Sequence, residues 1–376
     1  MIKVLPIGIG LGGSNYAKEI STKLKSQKGG KNSKYGEPIY VNICADELGM
    51  FNTALLNGKF HVGTMDGGAG KNRDLALDTF ADKFDYDKLI DLIRERVIED
   101  DIDVVATCFT TGGGTGSGIG PALTNTLFNL MEQQTDIKYV SVIGFALLPS
   151  FDEGITIHKN NLLALGEIET SFLNGGRYAL VKNTGEGSSF NDRRTTANKT
   201  SITLFMDYVT GSHQSKTGGV LDLNDKRVGL AYPGLHSFNR LRECNVDKSP
   251  FVEPGSNKVK HVMAEIPEEN CELYEEAVLA GVHLDYKFGY TSDEVGVVAF
   301  HGFNSLRKET VAYRKRFDEL KELDSADDVG NGVDSLNALK KDVFHYNIRK
   351  NNVEVVVGEE IPTSKKLLDS FRTGRI

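Results

Sequence analysis

The sequence is poor in cysteine and has no long apolar run, and each shortage excludes a class of protein. Four cysteines, Cys44, Cys108, Cys244 and Cys271, are scattered through 376 residues without metal-ligand spacing. They suggest neither a disulfide framework nor a zinc site, and read as free thiols of a cytoplasmic chain. No segment approaches the roughly 18 consecutive apolar residues of a membrane span. The opening "IKVLPIGIG" runs straight into an apolar strand, with no cationic region and no cleavage signal, so no secretory leader is expected. Internal repeats and long low-complexity segments are missing too. Surplus positive charge is also lacking: the net charge is −8, which argues against a general nucleic-acid binder. The charge is uneven, however. Residues 363–376 carry Lys365, Lys366, Arg372 and Arg375 against Asp369, or +3 from side chains, which leaves −11 on the rest. Such a tail is either a solvated end or a strap onto a neighbouring acidic surface.

Glycine, by contrast, is plentiful, with 40 residues and much of the excess in the first 120. The chain is 39% hydrophobic and 26% charged, a globular composition, and long enough for two domains with a core each. Up to about residue 187, apolar strands alternate with helices. Strands are predicted at 3–10, 39–46, 101–110, 138–149 and 177–183. Helices are predicted at 15–27, 84–99, 120–133 and 156–173, with a short helical piece after the second strand. This alternation specifies an α/β fold, a Rossmann-like parallel sheet with helices on both faces. A long helix at 192–211 follows, with Leu204, Phe205 and Tyr208 on its apolar face. Beyond it the texture changes. Strands at 260–267, 294–303 and 351–362, with helices at 268–281 and 306–323, read as a separate sheet in a smaller α+β domain. The expected division is a first domain at 1–191, a connecting helix at 192–211, a second domain at 212–360 and a basic tail at 361–376.

Three glycine-rich loops carry the chemistry. The first, "IGIGLGGSN" (7–15), contains Gly8-x-Gly10-x-x-Gly13 between a strand and a helix, and the next strand ends in Asp46-Glu47, which could bind a ribose hydroxyl. That context fits a dinucleotide site, so a nicotinamide or flavin oxidoreductase stands as one reading. The second, "TTGGGTGSGIGP" (110–121), also lies between a strand and a helix but has no lysine, so it is not an ordinary P-loop. Small residues let backbone amides approach phosphate oxygens, a helix N-terminus adds partial positive charge, and the Thr115 and Ser117 hydroxyls can add donors. The third, "GGAGKN" (67–72), ends like a Walker motif but has Asn72 where Ser or Thr is required. Each loop alone could be a tight turn. Three at the carboxyl edge of one sheet suit a polyphosphate gripped from several sides.

At "GGGTGSG" the sequence resembles the tubulin/FtsZ superfamily of polymerising GTPases, and further matches follow in family order along about the first 230 residues. The resemblance implies GTP/GDP and Mg²⁺ as ligands, the metal held mainly by phosphates and water. It assigns nucleotide contacts to Gly10, Leu11, Gly12, Gly13 and Asn15 in the first loop, and to Asp46 after the second strand. Gly68, Ala69, Gly70, Lys71 and Asn72 would meet the γ-phosphate. Gly112, Gly113, Gly114, Thr115, Gly116 and Ser117 would hold the phosphates from the second loop. "PSFDEG" (149–154) resembles the ribose loop and places Glu153 near the sugar, while Asn198 in "TANK" would present its amide to guanine. The sequence departs from the pattern at Leu11 and Ser14, where glycines are common, and at Cys44, where asparagine is more usual. An arginine usual shortly after the ribose loop is missing.

"GGVLDLNDKRVG" (218–229) resembles the loop that carries the family's catalytic acids, which makes Asp222 and Asp225 the candidates. A helix cap with a surface acid is the plainer reading of the same spacing. The resemblance implies head-to-tail filaments in which these acids enter the next subunit's site. The short basic tail and divergent loops look closest to the phage and plasmid tubulins. That points to plasmid or phage positioning, with the chain itself as main partner and an adaptor or cargo protein as a further one. A GTP-binding regulator that does not polymerise is the alternative within the same fold.

Overall fold

In the computed structural model the described residues are 2–27, 36–63, 67–132, 140–183, 189–210, 221–240, 261–267, 285–291, 297–327, 346–349 and 352–355. Residues 1–316 form one compact unit and 317–376 a second. The first unit is built on β1 (Val4–Ile9), β2 (Ile39–Asn42), β3 (Lys59–His61), β4 (Val104–Thr110), β5 (Ser141–Leu147) and β6 (Arg177–Val181), all parallel, in the order β3-β2-β1-β4-β5-β6. Every residue of β1, β2, β5 and β6 is buried, so both faces of the sheet are covered. This explains why these strands read as unbroken apolar runs rather than as alternating ones.

The covering helices are α1 (Gly10–Gln27), α2 (Ala45–Gly49), α3 (Arg73–Lys83), α4 (Tyr86–Asp100), α5 (Gly114–Glu132), α6 (Ile155–Ser171) and α7 (Phe190–Thr210). Helix α1 packs beside α7, and α5 packs between α3 and α6. The expected apolar face of α7 is buried through Leu204, Phe205 and Tyr208. Helix α3 was not expected from the sequence. Asn72 caps it by accepting a hydrogen bond from the Leu75 amide at 3.0 Å. Two helices also begin earlier than the sequence suggested. Helix α1 starts at Gly10 and α5 at Gly114, so most of the first two glycine "loops" are first turns of helix.

The strands after α7 do not form the separate sheet expected of them. Helix α8 (Leu223–Ala231) leads into β7 (Gly234–Arg240), which pairs in parallel with β6 at Arg177–Gly234, Tyr178–Leu235 and Ala179–His236. The sheet then continues through β10 (Val297–Phe303), β8 (His261–Pro267) and β9 (Asp285–Thr291), giving ten strands in all. Only β10 runs antiparallel to its neighbours among these. Helix α9 (Arg307–Asp327) follows β10. In the second unit β11 (Tyr346–Arg349) and β12 (Asn352–Val355) pair antiparallel, on part of the strand expected at 351–362. The helix expected at 268–281, the tail at 361–376, Cys244 and Cys271 lie outside the described residues.

Candidate nucleotide site

The loops after β1, β2, β3, β4 and β5 all open at the carboxyl edge of the sheet, where open α/β sheets bind their ligands. Close backbone approaches link them into one cradle. Gly10 has φ of 69° and faces the first turn of α5, where an added Cβ would lie 3.2 Å from the Gly116 nitrogen. A Cβ on Gly114 would lie 3.0 Å from the Ala69 Cβ and 3.1 Å from the Asn72 nitrogen. A Cβ on Gly68, in turn, would lie 3.1 Å from the Cys44 Cβ, one residue before α2 and Asp46. The third loop is wound tightly by left-handed backbone at Gly68, Gly70 and Lys71. Lys71 is not a glycine, so that conformation costs about 1 kcal/mol there.

The candidates divide by environment. Leu11, Asn15, Asp46, Gly70, Lys71 and Asn72 are exposed, while Gly13, Ala69, Gly112, Gly114, Gly116 and Ser117 are buried. Gly12, Gly68, Gly113, Thr115, Glu153 and Asn198 are intermediate. The Ser117 hydroxyl was expected to face phosphate, but it turns back onto the carbonyl of Gly113, the residue just before α5, and is fully buried. A hydroxyl has one proton to donate, so Ser117 contributes to the cradle through helix geometry and not through a side-chain donor.

Two side chains that the sequence reading missed bind the cradle together. The buried amide of Asn160, in α6, donates to the Lys71 carbonyl at 2.9 Å and to the Gly112 carbonyl at 3.2 Å, pinning the third loop to the second. Arg73, also buried, donates through Nε to the Ser117 carbonyl at 3.2 Å and pairs with Glu167. Nothing in the sequence around Asn160 marks this role beyond an asparagine standing within a helical segment.

Helix α7 reaches both the loop that carries Glu153 and the first turns of α1. Arg193 pairs with Asp152 at 2.6 Å, in the loop that carries Glu153. Farther along, Ser201 hydrogen-bonds Tyr16, the neighbour of Asn15, at 2.8 Å. Asn198 falls between these two anchors. Glu153 accepts the Ser150 amide at 3.1 Å, and burial raises its pKa above the usual carboxylate range. The nearby Arg194 and Lys71 charges work against that rise.

Asp222 and Asp225 lie elsewhere. They form a reciprocal capping box at the start of α8: the Asp222 carboxylate accepts from the Asp225 amide at 2.8 Å, and Asp225 accepts from the Asp222 amide at 3.0 Å. Two residues on, Arg227 pairs with buried Asp103, which also accepts the Lys3 amide at 2.8 Å. Asp103 immediately precedes β4, so α8 is anchored at the amino edge of the sheet. The second glycine run begins after the other end of β4, about 20 Å away for a strand of this length.

Sheet order, three convergent glycine turns and a long following helix make up an α/β fold shared with solved tubulin-like proteins. More particularly, the chain is similar to the tubulin-like protein TubZ of Clostridium botulinum C phage, at 29% identity over 246 residues. That match takes in 62% of this chain and 63% of the phage protein's length. Tail-truncated TubZ of Clostridium botulinum phage c-st has the same fold, with TM-score 0.65 and 18% identity, covering 86% of this chain and 98% of that one. CetZ2 from Haloferax volcanii, solved as a GTPγS-bound protofilament, aligns with TM-score 0.64 and 17% identity over 85% of this chain and all of that one. No family model matches the sequence.

Proposed function

We propose that the chain binds GTP in the cradle, assembles head to tail, and hydrolyses GTP where the acids of one copy meet the cradle of the next. The observation that carries this reading is the placement of Asp222 and Asp225 at the edge of the sheet opposite the glycine turns. Within one chain they cannot reach a bound phosphate; in a second copy stacked end to end they can. Such a contact joins two different surfaces and does not close, so it propagates as a filament. The CetZ2 protofilament, a neighbour in fold, supports the same arrangement.

In this reading the phosphates rest on the helix ends at Gly10 and Gly114 and on loop 67–72, where backbone amides and helix partial charge face the anion. Asp222 and Asp225 align the attacking water, and fixed amides stabilise charge on the phosphate oxygens. Among the described residues no group of three His, Cys, Asp or Glu side chains could hold a metal. The cradle's amides suit the phosphates, and a Mg²⁺ would be held by phosphate oxygens and water, where it would neutralise phosphate charge. Glu153 and Asn198 take the sugar and the base. No helix among the described residues is long and apolar enough to cross a membrane. We further propose a role in positioning phage or plasmid DNA through an adaptor or cargo protein; the similar TubZ comes from a phage.

Asp222→Asn separates catalysis from capping, because asparagine caps a helix as well as aspartate does. The variant is expected to keep wild-type stability and GTP affinity, to lose at least about 100-fold in phosphate release, and to pellet as persistent filaments. Wild-type turnover in this variant would remove Asp222 from the mechanism. Pelleting with GTP, GDP and GTPγS also separates the alternatives: a regulator would bind GTP and stay monomeric, and an oxidoreductase would bind nicotinamide or flavin instead.

A further inference from the structure

The first turns of helix α9 reach from the end of α6 to the loop that holds Glu153. The contacts run in order. The Leu306 amide donates to Glu169 near the end of α6 at 2.9 Å, and Glu309 pairs with Lys182 just beyond β6 at 2.8 Å. One turn further, the Tyr313 ring stacks on Phe151 with centroids 4.7 Å apart and also meets His158 at 5.8 Å. The Tyr313 hydroxyl donates to the Pro149 carbonyl at 2.7 Å, and Arg316 donates through Nε to the Phe151 carbonyl at 2.6 Å. As α9 advances its partners fall from residue 169 to 149–158, so the two helices run antiparallel.

The loop between Pro149 and Gly154 is thus gripped from two sides. Helix α9 holds two of its carbonyls, and Arg193 of α7 holds Asp152. Between these grips the Ser150 amide holds one oxygen of the Glu153 carboxylate. A loop has few hydrogen bonds of its own with which to fix a side chain, and a displacement of about 1 Å at a recognition carboxylate is enough to lose its selectivity.

We propose that Tyr313 and Arg316 are positioning residues of the nucleotide site: their grip on the Pro149 and Phe151 carbonyls sets Glu153 for the sugar hydroxyls. The inference rests on the reading of the cradle as a GTP site and extends that site to a helix more than 150 residues away in sequence. A carboxylate that recognises the 2′-hydroxyl distinguishes GTP from 2′-deoxy-GTP, and this ratio is the readout that a merely structural role would not move.

The test measures affinities for GTP and 2′-deoxy-GTP by displacement of a fluorescent GTP analogue from the full chain. Wild type is expected to prefer GTP about tenfold. Glu153→Gln should reduce that preference to near one. Tyr313→Phe with Arg316→Leu keeps the ring stack and the aliphatic stem but removes both donors. This double variant should also reduce the ratio to near one, with a GTP affinity only a few-fold weaker and an unchanged melting temperature. Each single variant should fall between. A wild-type ratio in the double variant, beside a reduced one in Glu153→Gln, overturns the positioning role alone. A ratio of one in wild type overturns it as well. Failure of wild type to bind GTP overturns the nucleotide reading itself.

Discussion

A methyl group on Gly13 would sit 2.0 Å from the carbonyl oxygen of Cys108, inside the volume of β4 backbone. Neither partner is a flexible side chain, so α1 would have to lift from the strand and carry residues 10–15 with it. Gly13→Ala is therefore expected to cost about 3 kcal/mol, read as a lower urea midpoint, and to abolish nucleotide binding. Gly49→Ala is the control. Nothing lies within 4 Å of its added Cβ, and the change should stay below about 1 kcal/mol. Glycines of this kind were legible in the sequence because the absence of a side chain leaves its mark in residue type. The roles of single polar residues were not. Asn160 and Arg73 act on backbone carbonyls that folding brings to them, and nothing in their own neighbourhoods of sequence records those partners. Ser117 shows the converse: its place in the glycine run suggested a phosphate donor, and the local backbone took the proton instead.

Elements show the same division. Five of the six parallel strands of the first half are apolar runs and could be read directly, β1 and β4 with a glycine turn straight after them; β3, three residues at the sheet edge with Lys59 and His61 exposed, carries no such pattern and was missed. Helix α3 was missed although Asn72 marks its start, because the glycines before it drew the segment toward a loop reading. The junction of β6 with β7 was beyond reach. It consists of three paired positions between segments far apart in sequence, and no local pattern encodes it. That junction buries a polar cluster. His236 Nδ1 lies 2.7 Å from His301 Nδ1, and Tyr208 of α7 lies 3.2 Å from His301 Nε2. The Nδ1 contact needs one N–H and one lone pair, so the two rings cannot both be protonated there. Burial, with repulsion from Arg177, pushes the His236 pKa down to about 3. An unfolded histidine takes up a proton near pH 6.5. His236 therefore stabilises the fold fully above about 6.5, and the contribution is lost as pH falls toward about 3. The slope is about 0.7 kcal/mol per pH unit at pH 6.5 and approaches about 1.4 by pH 5.5. Urea unfolding between pH 7.5 and 5 measures it. His236→Gln should flatten the slope; an equal slope in the variant would assign the dependence to other groups.

At the scale of the whole molecule, the cradle and the capping acids of α8 occupy opposite edges of one sheet. If each active site takes its two parts from two copies, mutants defective in different parts should complement each other. Asp222→Asn retains a cradle, while Gly114→Val retains the acids but fills the contact with Ala69 and Asn72. Each alone is expected to release phosphate at the background rate. Mixed in equal amounts they should recover a measurable fraction of wild-type activity, rising with total concentration. Two inactive proteins that stay inactive together, while still co-pelleting, would count against a shared site. A basic tail that straps a neighbour would add to this assembly, and deleting residues 363–376 would test its share.

The position of Asp103 and Arg227 beneath β4 has an arithmetical consequence. If the site is shared as proposed, a row of n such molecules would contain n − 1 finished sites, because the copy at one end would offer its glycine turns to solvent with no acids above them. That terminal nucleotide would be spared until another copy lands on it. The two tips of a row would then differ chemically as well as in shape: one would always hold an unspent triphosphate, and the other would expose acids with nothing to act upon. Short rows would consume proportionally less GTP per molecule than long ones, so the rate per molecule would itself report on length.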